Sequence, residues 1–154
     1  MANKPLPVLL AEDDDADVFF LRRAMEKCNL LNELIVARDG QHAIDYLSKA
    51  LQDTGNGSCP MPGLFLLDLK MPGADGFDVL TWLRTQPALR HVPVVVLSSS
   101  VLESDIKKAR QLGAVDYVVK TFDFDQLAKT RNSTARRRLA QAKSPRKSRL
   151  KISR

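Results

Sequence analysis

The chain has 154 residues, 44% hydrophobic and 27% charged, the profile of one globular domain whose core is large enough to fold without a staple. Its two cysteines, Cys28 and Cys59, stand in no CxxC spacing, which excludes a disulfide framework or zinc cluster and suits a reducing compartment. The net charge of +6 conceals a division: residues 1–128 carry 13 basic against 18 acidic side chains, and residues 129–154 carry 11 basic and no acidic ones.

No apolar run approaches the roughly 20 residues of a membrane-spanning helix, so no membrane role is expected. The start, Met-Ala-Asn-Lys-Pro, has no cleavable leader pattern, and the expectation is a cytoplasmic protein.

Along the chain, short apolar runs alternate with longer amphipathic ones, the pattern of a parallel sheet with crossover helices. Residues 6–11 read as a first strand that ends abruptly in Glu12-Asp13-Asp14-Asp15. A helix follows with Val18, Leu21, Met25 and Cys28 on one face. Residues 33–37 are the second strand, Asp39-Gly40 punctuates it, and Ala43, Ile44, Leu47 and Leu51 mark the second helix. Residues 52–63 have loop composition. Residues 64–68 form a third strand of four apolar residues closed by Asp68, as a strand covered on both faces requires.

Lys70-Met-Pro-Gly is a turn, and Val79, Leu80 and Leu83 mark the third helix. Residues 93–97 form the fourth strand, running into Ser98-Ser99-Ser100, and the fourth helix carries Ile106, Ala109 and Leu112 before closing at Gly113. Residues 116–120 are the fifth strand, and a fifth helix begins near Asp123. Its inward stripe beyond Ala128 would be Arg131, Thr134, Ala135 and Leu139, too thin to hold it on the domain. The division expected is therefore a domain over 1–128 and a basic end over 129–154, disordered from Lys143 on. The fold class is α/β, a five-stranded parallel sheet of five βα units.

Ligands of open parallel sheets bind outside the carboxyl ends of the strands. Those ends carry Glu12 and Asp13, Asp68, Ser98 and Lys120. Three carboxylates brought together repel unless a cation joins them, and a hard oxygen set suits Mg²⁺. Beside such an ion Asp68 is a plausible acceptor for a phosphoryl group, with Lys120 and the Ser98 hydroxyl placed to hold the added charge. Each residue also has an ordinary alternative. The acidic run is often a helix first turn, assigned here to Asp14 and Asp15. Ser99 or Ser100 is read as the cap of the fourth helix. Asp68 alone is more often a turn residue, and Lys120 alone a solvated lysine. The convergence of all four positions on one rim favours chemistry.

At this point the residues match a family. Leu9-Leu-Ala-Glu-Asp-Asp, Leu67-Asp-Leu-Lys-Met-Pro-Gly with Asp75-Gly76, Pro93-Val-Val-Val-Leu-Ser and Gly113-Ala-Val-Asp-Tyr-Val-Val-Lys120 together resemble the receiver domain of two-component response regulators, over about residues 5–130. The resemblance implies a doubly wound, flavodoxin-like receiver fold and Asp68 as phospho-acceptor from a histidine kinase. It implies Mg²⁺ held by Glu12, Asp13, Asp68 and the backbone carbonyl of Lys70. Ser98 and Tyr117 would form a switch pair that reshapes the surface of helix four, strand five and helix five, and Lys120 would contact the phosphoryl group.

Thr121 stands where the family usually has proline, which leaves the isomer of the Lys120–Thr121 bond open. The loop at 52–63 and the lack of a second domain look similar to small regulators paired with bacterial phytochrome kinases, some of which form homodimers near the fifth helix. Other functions fit less well. The tail could neutralise phosphates of nucleic acid nonspecifically but carries no aromatic for stacking, and specific DNA binding is not expected. A phosphatase of this type would place a second acid two residues after Asp68, where Lys70 stands, and no nucleotide-binding glycine loop is present. A phosphate-independent adaptor and a flavin-binding protein of the same fold remain as alternatives.

Overall fold

Short runs of aliphatic residues form five parallel strands in the computed structural model, which describes residues 5–120 apart from Thr54 and Asn56. These are β1 (Val8–Ala11), β2 (Leu34–Ala37), β3 (Leu64–Asp68), β4 (Val94–Ser98) and β5 (Asp116–Val119), in the order β2-β1-β3-β4-β5. The connections are helices α1 (Asp15–Lys27), α2 (Gly40–Gln52), α3 (Gly76–Arg84) and α4 (Glu103–Gln111), with a 3-10 turn, Pro87–Leu89, ahead of β4. A parallel neighbour can be reached only by such a crossover.

Alternation along the strands divides the core in two. Leu9, Phe65, Leu67, Val94 and Val96 pack with Leu47 of α2, Val79 and Leu80 of α3, and Ala109 of α4. Val8, Leu10, Leu64, Leu66, Val95 and Leu97 pack with Val18, Leu21 and Met25 of α1. Because helices cover both faces, neither side of these strands is polar, and the sheet is doubly wound as the sequence implies. Register then decides which strand ends meet. Leu10 pairs with Leu66, Asp68 with Leu97, and Leu97 with Val118. By alternation Glu12, Asp68 and Lys120 fall on the α1 side, whereas Ser98 falls with Tyr117 on the side of α2, α3 and α4.

Acidic side chains start the helices. Asp14 accepts from the amides of Ala16 and Asp17, Asp39 from that of His42, and Asp75 forms a reciprocal capping box with Asp78. The first-turn role expected of Asp14 and Asp15 is therefore met by a cap and the residue that follows it.

Several local readings differ. β2 starts at Leu34 and β4 runs Val94–Ser98, each a residue off the expected bounds. β1 starts at Val8, because Pro7 has no amide to give the ladder; its carbonyl accepts from Gly63 instead. On α2 the buried stripe is Ala43, Leu47 and Ala50, and Leu51 is 37% exposed, one position off the packed face. The serines do not cap α4: Leu102 takes the N-cap without a side-chain bond, Ser99 is exposed, and Ser100 lies two residues too early. Ser100 Oγ instead accepts from the Leu102 amide at 3.3 Å and donates to Asp105 at 2.6 Å. The strand at 116–120 closes at Val119, one residue before Lys120. The fifth helix, the boundary at 128, the Lys120–Thr121 bond and the basic tail lie outside the described residues.

The segment after Asp68 is held by close backbone contact at the start of α3. A Cβ on Gly76 would lie 2.5 Å from the Asp68 carbonyl oxygen and 2.7 Å from Leu69 Cα, atoms that cannot yield cheaply. Gly76→Ala is expected to lower stability by about 2 kcal/mol, read as a lower urea midpoint at unchanged slope. An unchanged midpoint would show that the α3 start is loosely seated.

Candidate functional site

The ladder continues one residue past β1 and β5, where the Glu12 amide donates to Ala37 O at 2.9 Å and the Lys120 amide to Ser98 O at 2.7 Å. These bonds fix the backbone at the sheet edge. They bring polar side chains into the interior: Glu12 is 1% exposed, Asp68 5% and Ser98 0%. A buried carboxylate is tolerated only with charge and hydrogen-bond partners.

Lys120 supplies that charge. Its Nζ lies 2.5 Å from Glu12 Oε2, 2.8 Å from Asp17 Oδ2 and 3.2 Å from Asp68 Oδ2. The remaining oxygens accept from backbone: Glu12 Oε1 from the Asp14 amide at 3.1 Å, Asp68 Oδ1 from the Lys70 amide at 3.2 Å. Burial pushes the Glu12 carboxyl up to about 7, with the Asp68 charge adding to it and the Lys120 hydrogen bond opposing it. For Lys120, burial disfavours the charged form, but hydrogen bonds to Asp17 and Glu12 and the charge of Asp68 outweigh it and hold the ammonium above the usual lysine range.

Glu12, Asp13 and Asp68 each offer an oxygen within 4.8 Å of the others, two of them buried and Asp13 exposed. This set is all oxygen and open to water on the Asp13 side, the chemistry of a hard divalent cation that keeps part of its hydration shell. Three carboxylates pair with one ammonium, and Asp13 stands beside two of them. Among the described residues the rim therefore holds more acidic than basic groups, an imbalance such a cation would offset.

On the other side of the sheet, Ser98 Oγ accepts from the Ser100 amide at 3.1 Å, and the Tyr117 hydroxyl donates to Ser100 O at 2.9 Å. Ser98 and Tyr117 are thus joined through the backbone of one residue, Ser100. The Lys70 side chain is exposed. The structure therefore gathers Glu12, Asp13, Asp68 and Lys120 in one place, with Ser98 and Tyr117 behind them. Two participants were not singled out from the sequence. Ser100 was taken for a cap. Asp17 reads as an ordinary first-turn acid, although it extends the inward line of Leu21 and Ala24 by one turn toward the rim.

Among the described residues no helix is long and apolar enough to cross a membrane. The family pattern described as "Response regulator receiver domain" matches residues 8–132. Response regulator Rcp1 of Synechocystis sp. is 34% identical over 128 residues, covering 83% of this chain and 85% of Rcp1. The Mn²⁺-bound structure of a response regulator Rcp1 matches with a TM-score of 0.69, 34% identity and coverage of 81% of this chain and 88% of that one. The phosphorylated cyanobacterial phytochrome response regulator RcpA matches at 0.70, with 34% identity over 83% and 88%. The bacteriophytochrome response regulator AtBRR matches at 0.68, with 38% identity over 92% and 94%.

The ion cluster carries a pH signature. The folded chain keeps the Glu12 proton to about pH 7, above the ordinary 4.5, so this group's contribution to stability is fully present below about 4.5 and is lost as pH rises through 7. Lys120→Met removes the counter-charge and is expected to cost about 3 kcal/mol at pH 7.5. The deficit is expected to shrink at pH 5, where Glu12 holds its proton. Urea midpoints at both pH values measure it, and equal deficits would assign the loss to packing rather than charge.

Proposed function

The chain belongs to the response regulator receiver family, and from that premise we propose that Asp68 accepts one phosphoryl group from a sensor histidine kinase. The observation that carries this reading is the buried Asp68 carboxylate with an ammonium 3.2 Å away, in a cluster of three carboxylates able to share one cation.

In this reading Glu12, Asp13, Asp68 and the Lys70 carbonyl hold Mg²⁺, which when bound offsets the negative charge of an approaching phosphoryl group. An Asp68 oxygen forms a bond to phosphorus while the bond from phosphorus to the donor's imidazole nitrogen breaks, and the electron pair leaves with that nitrogen. Lys120 turns part of its hydrogen bonding to the new oxygens. The Ser98 hydroxyl donates to them from the opposite side, for which it gives up the Ser100 amide at 3.1 Å. That amide belongs to the same residue whose carbonyl receives the Tyr117 hydroxyl, so release at Ser98 frees Tyr117 to turn inward. The exposed neighbours Val101 and Leu102 at the head of α4 would then be presented differently to a partner.

The chain would carry the phosphoryl group as a signal in the cytoplasm, without turnover as a true enzyme. The relatives named as phytochrome and bacteriophytochrome response regulators support a photoreceptor kinase as the donor. A homodimer through the α4–β5 surface is proposed beside it as an output.

Intact mass after incubation with a small-molecule phosphodonor tests the reading. One added phosphoryl group per chain is expected with Mg²⁺, none with a chelator, and none in Asp68→Asn. Absence of any addition to the folded parent protein would overturn it.

A further inference from the structure

Lys120 has one partner that the scheme above does not use. Asp17, on the first turn of α1, accepts from its Nζ at 2.8 Å, nearer than Asp68 at 3.2 Å and across 103 residues of sequence. An acid in this position of a helix ordinarily reaches back to the cap amide, as Asp78 of α3 does to the Asp75 amide at 3.0 Å. In α1 that amide, on Asp14, is already taken by Glu12 Oε1. Asp17 is therefore free of the capping task and turned to the lysine instead.

The ammonium has three carboxylates beside it: it donates to Glu12 and Asp17 and lies 3.2 Å from Asp68 as an ion pair. Two of the three, Glu12 and Asp68, belong to the set that would hold a divalent cation. A cation seated there withdraws both from Lys120 and repels it as well. Asp17 lies outside that set, with its side chain 30% exposed against 2% for Glu12. We propose that Asp17 is a positioning residue: its contact with Lys120 keeps the ammonium at the rim while a divalent cation occupies Glu12, Asp13 and Asp68. The lysine then stands beside Asp68 at the moment a phosphoryl group arrives. Only that last consequence rests on the receiver reading; the retention of Lys120 does not.

The test is the rate at which an amine-acylating reagent modifies Lys120 in the full chain, followed by peptide mass spectrometry with and without saturating Mg²⁺. In the parent, Mg²⁺ is expected to leave the rate nearly unchanged. In Asp17→Asn, Mg²⁺ should raise it about tenfold, as the ammonium loses its last counter-charge. Asp15→Asn removes the same charge from the same turn, where Asp15 pairs with Arg38, and should follow the parent. The proposal is overturned if Mg²⁺ exposes Lys120 equally in the parent and in Asp17→Asn. It is equally overturned if Asp15→Asn matches Asp17→Asn, or if Asp17→Asn raises the rate by the same factor in Mg²⁺ and in chelator, the mark of a purely structural tie. The phosphodonor experiment reports separately on Asp68. Protection of Lys120 that depends on Asp17, in a protein that takes no phosphoryl group, would overturn the receiver reading and support this one.

Discussion

A single ammonium among three carboxylates, at the carboxyl edge of a parallel sheet, is the interaction on which this molecule turns. Without Lys120, Glu12 and Asp68 would be two acids at 1% and 5% exposure with only backbone amides to face. With it, the edge is stable yet still short of positive charge, since Asp13 and Asp17 stand in the same neighbourhood. A cluster that is held but under-compensated can take up further cationic charge and then a charged group that needs it. Glu12 takes up a proton more readily than a free carboxylate, chiefly because it is buried and further because of the Asp68 charge.

The sheet divides the labour. Asp68 pairs in register with Leu97, which sets Ser98 on the opposite face from the carboxylates. Charge chemistry therefore sits toward α1, and hydroxyl chemistry sits toward α3 and α4. Ser98 is at the seam, the last residue of β4, completely buried, and joined through the Ser100 peptide to Tyr117. In the proposed reading a change at the carboxylates would reach α4 through these few bonds and through Tyr117, which packs against the cluster under α2, α3 and α4.

The strands were legible because fully covered β3 and β4 are uninterrupted apolar runs, and Asp68 stood out as the carboxylate that ends one of them. A helix start was legible at Asp14, where an acidic first turn was expected, and Asp39 stood out as punctuation before α2; Asp75 caps α3 in the same way without having been read as a cap. Other features depend on tertiary context. Leu51 and Ala50 compete for one stripe, and only the packing of α2 decides for the smaller residue. A serine run before a helix suggests a cap, but the chain inserts Val101 and Leu102 and the serine bonds forward to Asp105. Asp17 was hidden because a first-turn acid has a sufficient local explanation. Its partner is chosen by strand order, which places the end of β5 over the first turn of α1, and strand order is not written in any one segment.

The long reach of Lys120 has a kinetic meaning. β5 is one of the sheet's two edge strands, paired with β4 and half-buried along its length, where local opening costs less than in the central strands. Lys120, the residue after it, meets Glu12 over 108 residues and Asp17 over 103, among the most distant contacts of the described residues, and such contacts form late. A partly folded chain without β5 docked would leave the acids at the sheet edge without their counter-charge, which raises its energy. The rim thereby welds the outermost strand to the first helix and makes folding more nearly all-or-none. A chain that holds Lys120 in place is a chain whose last strand has docked.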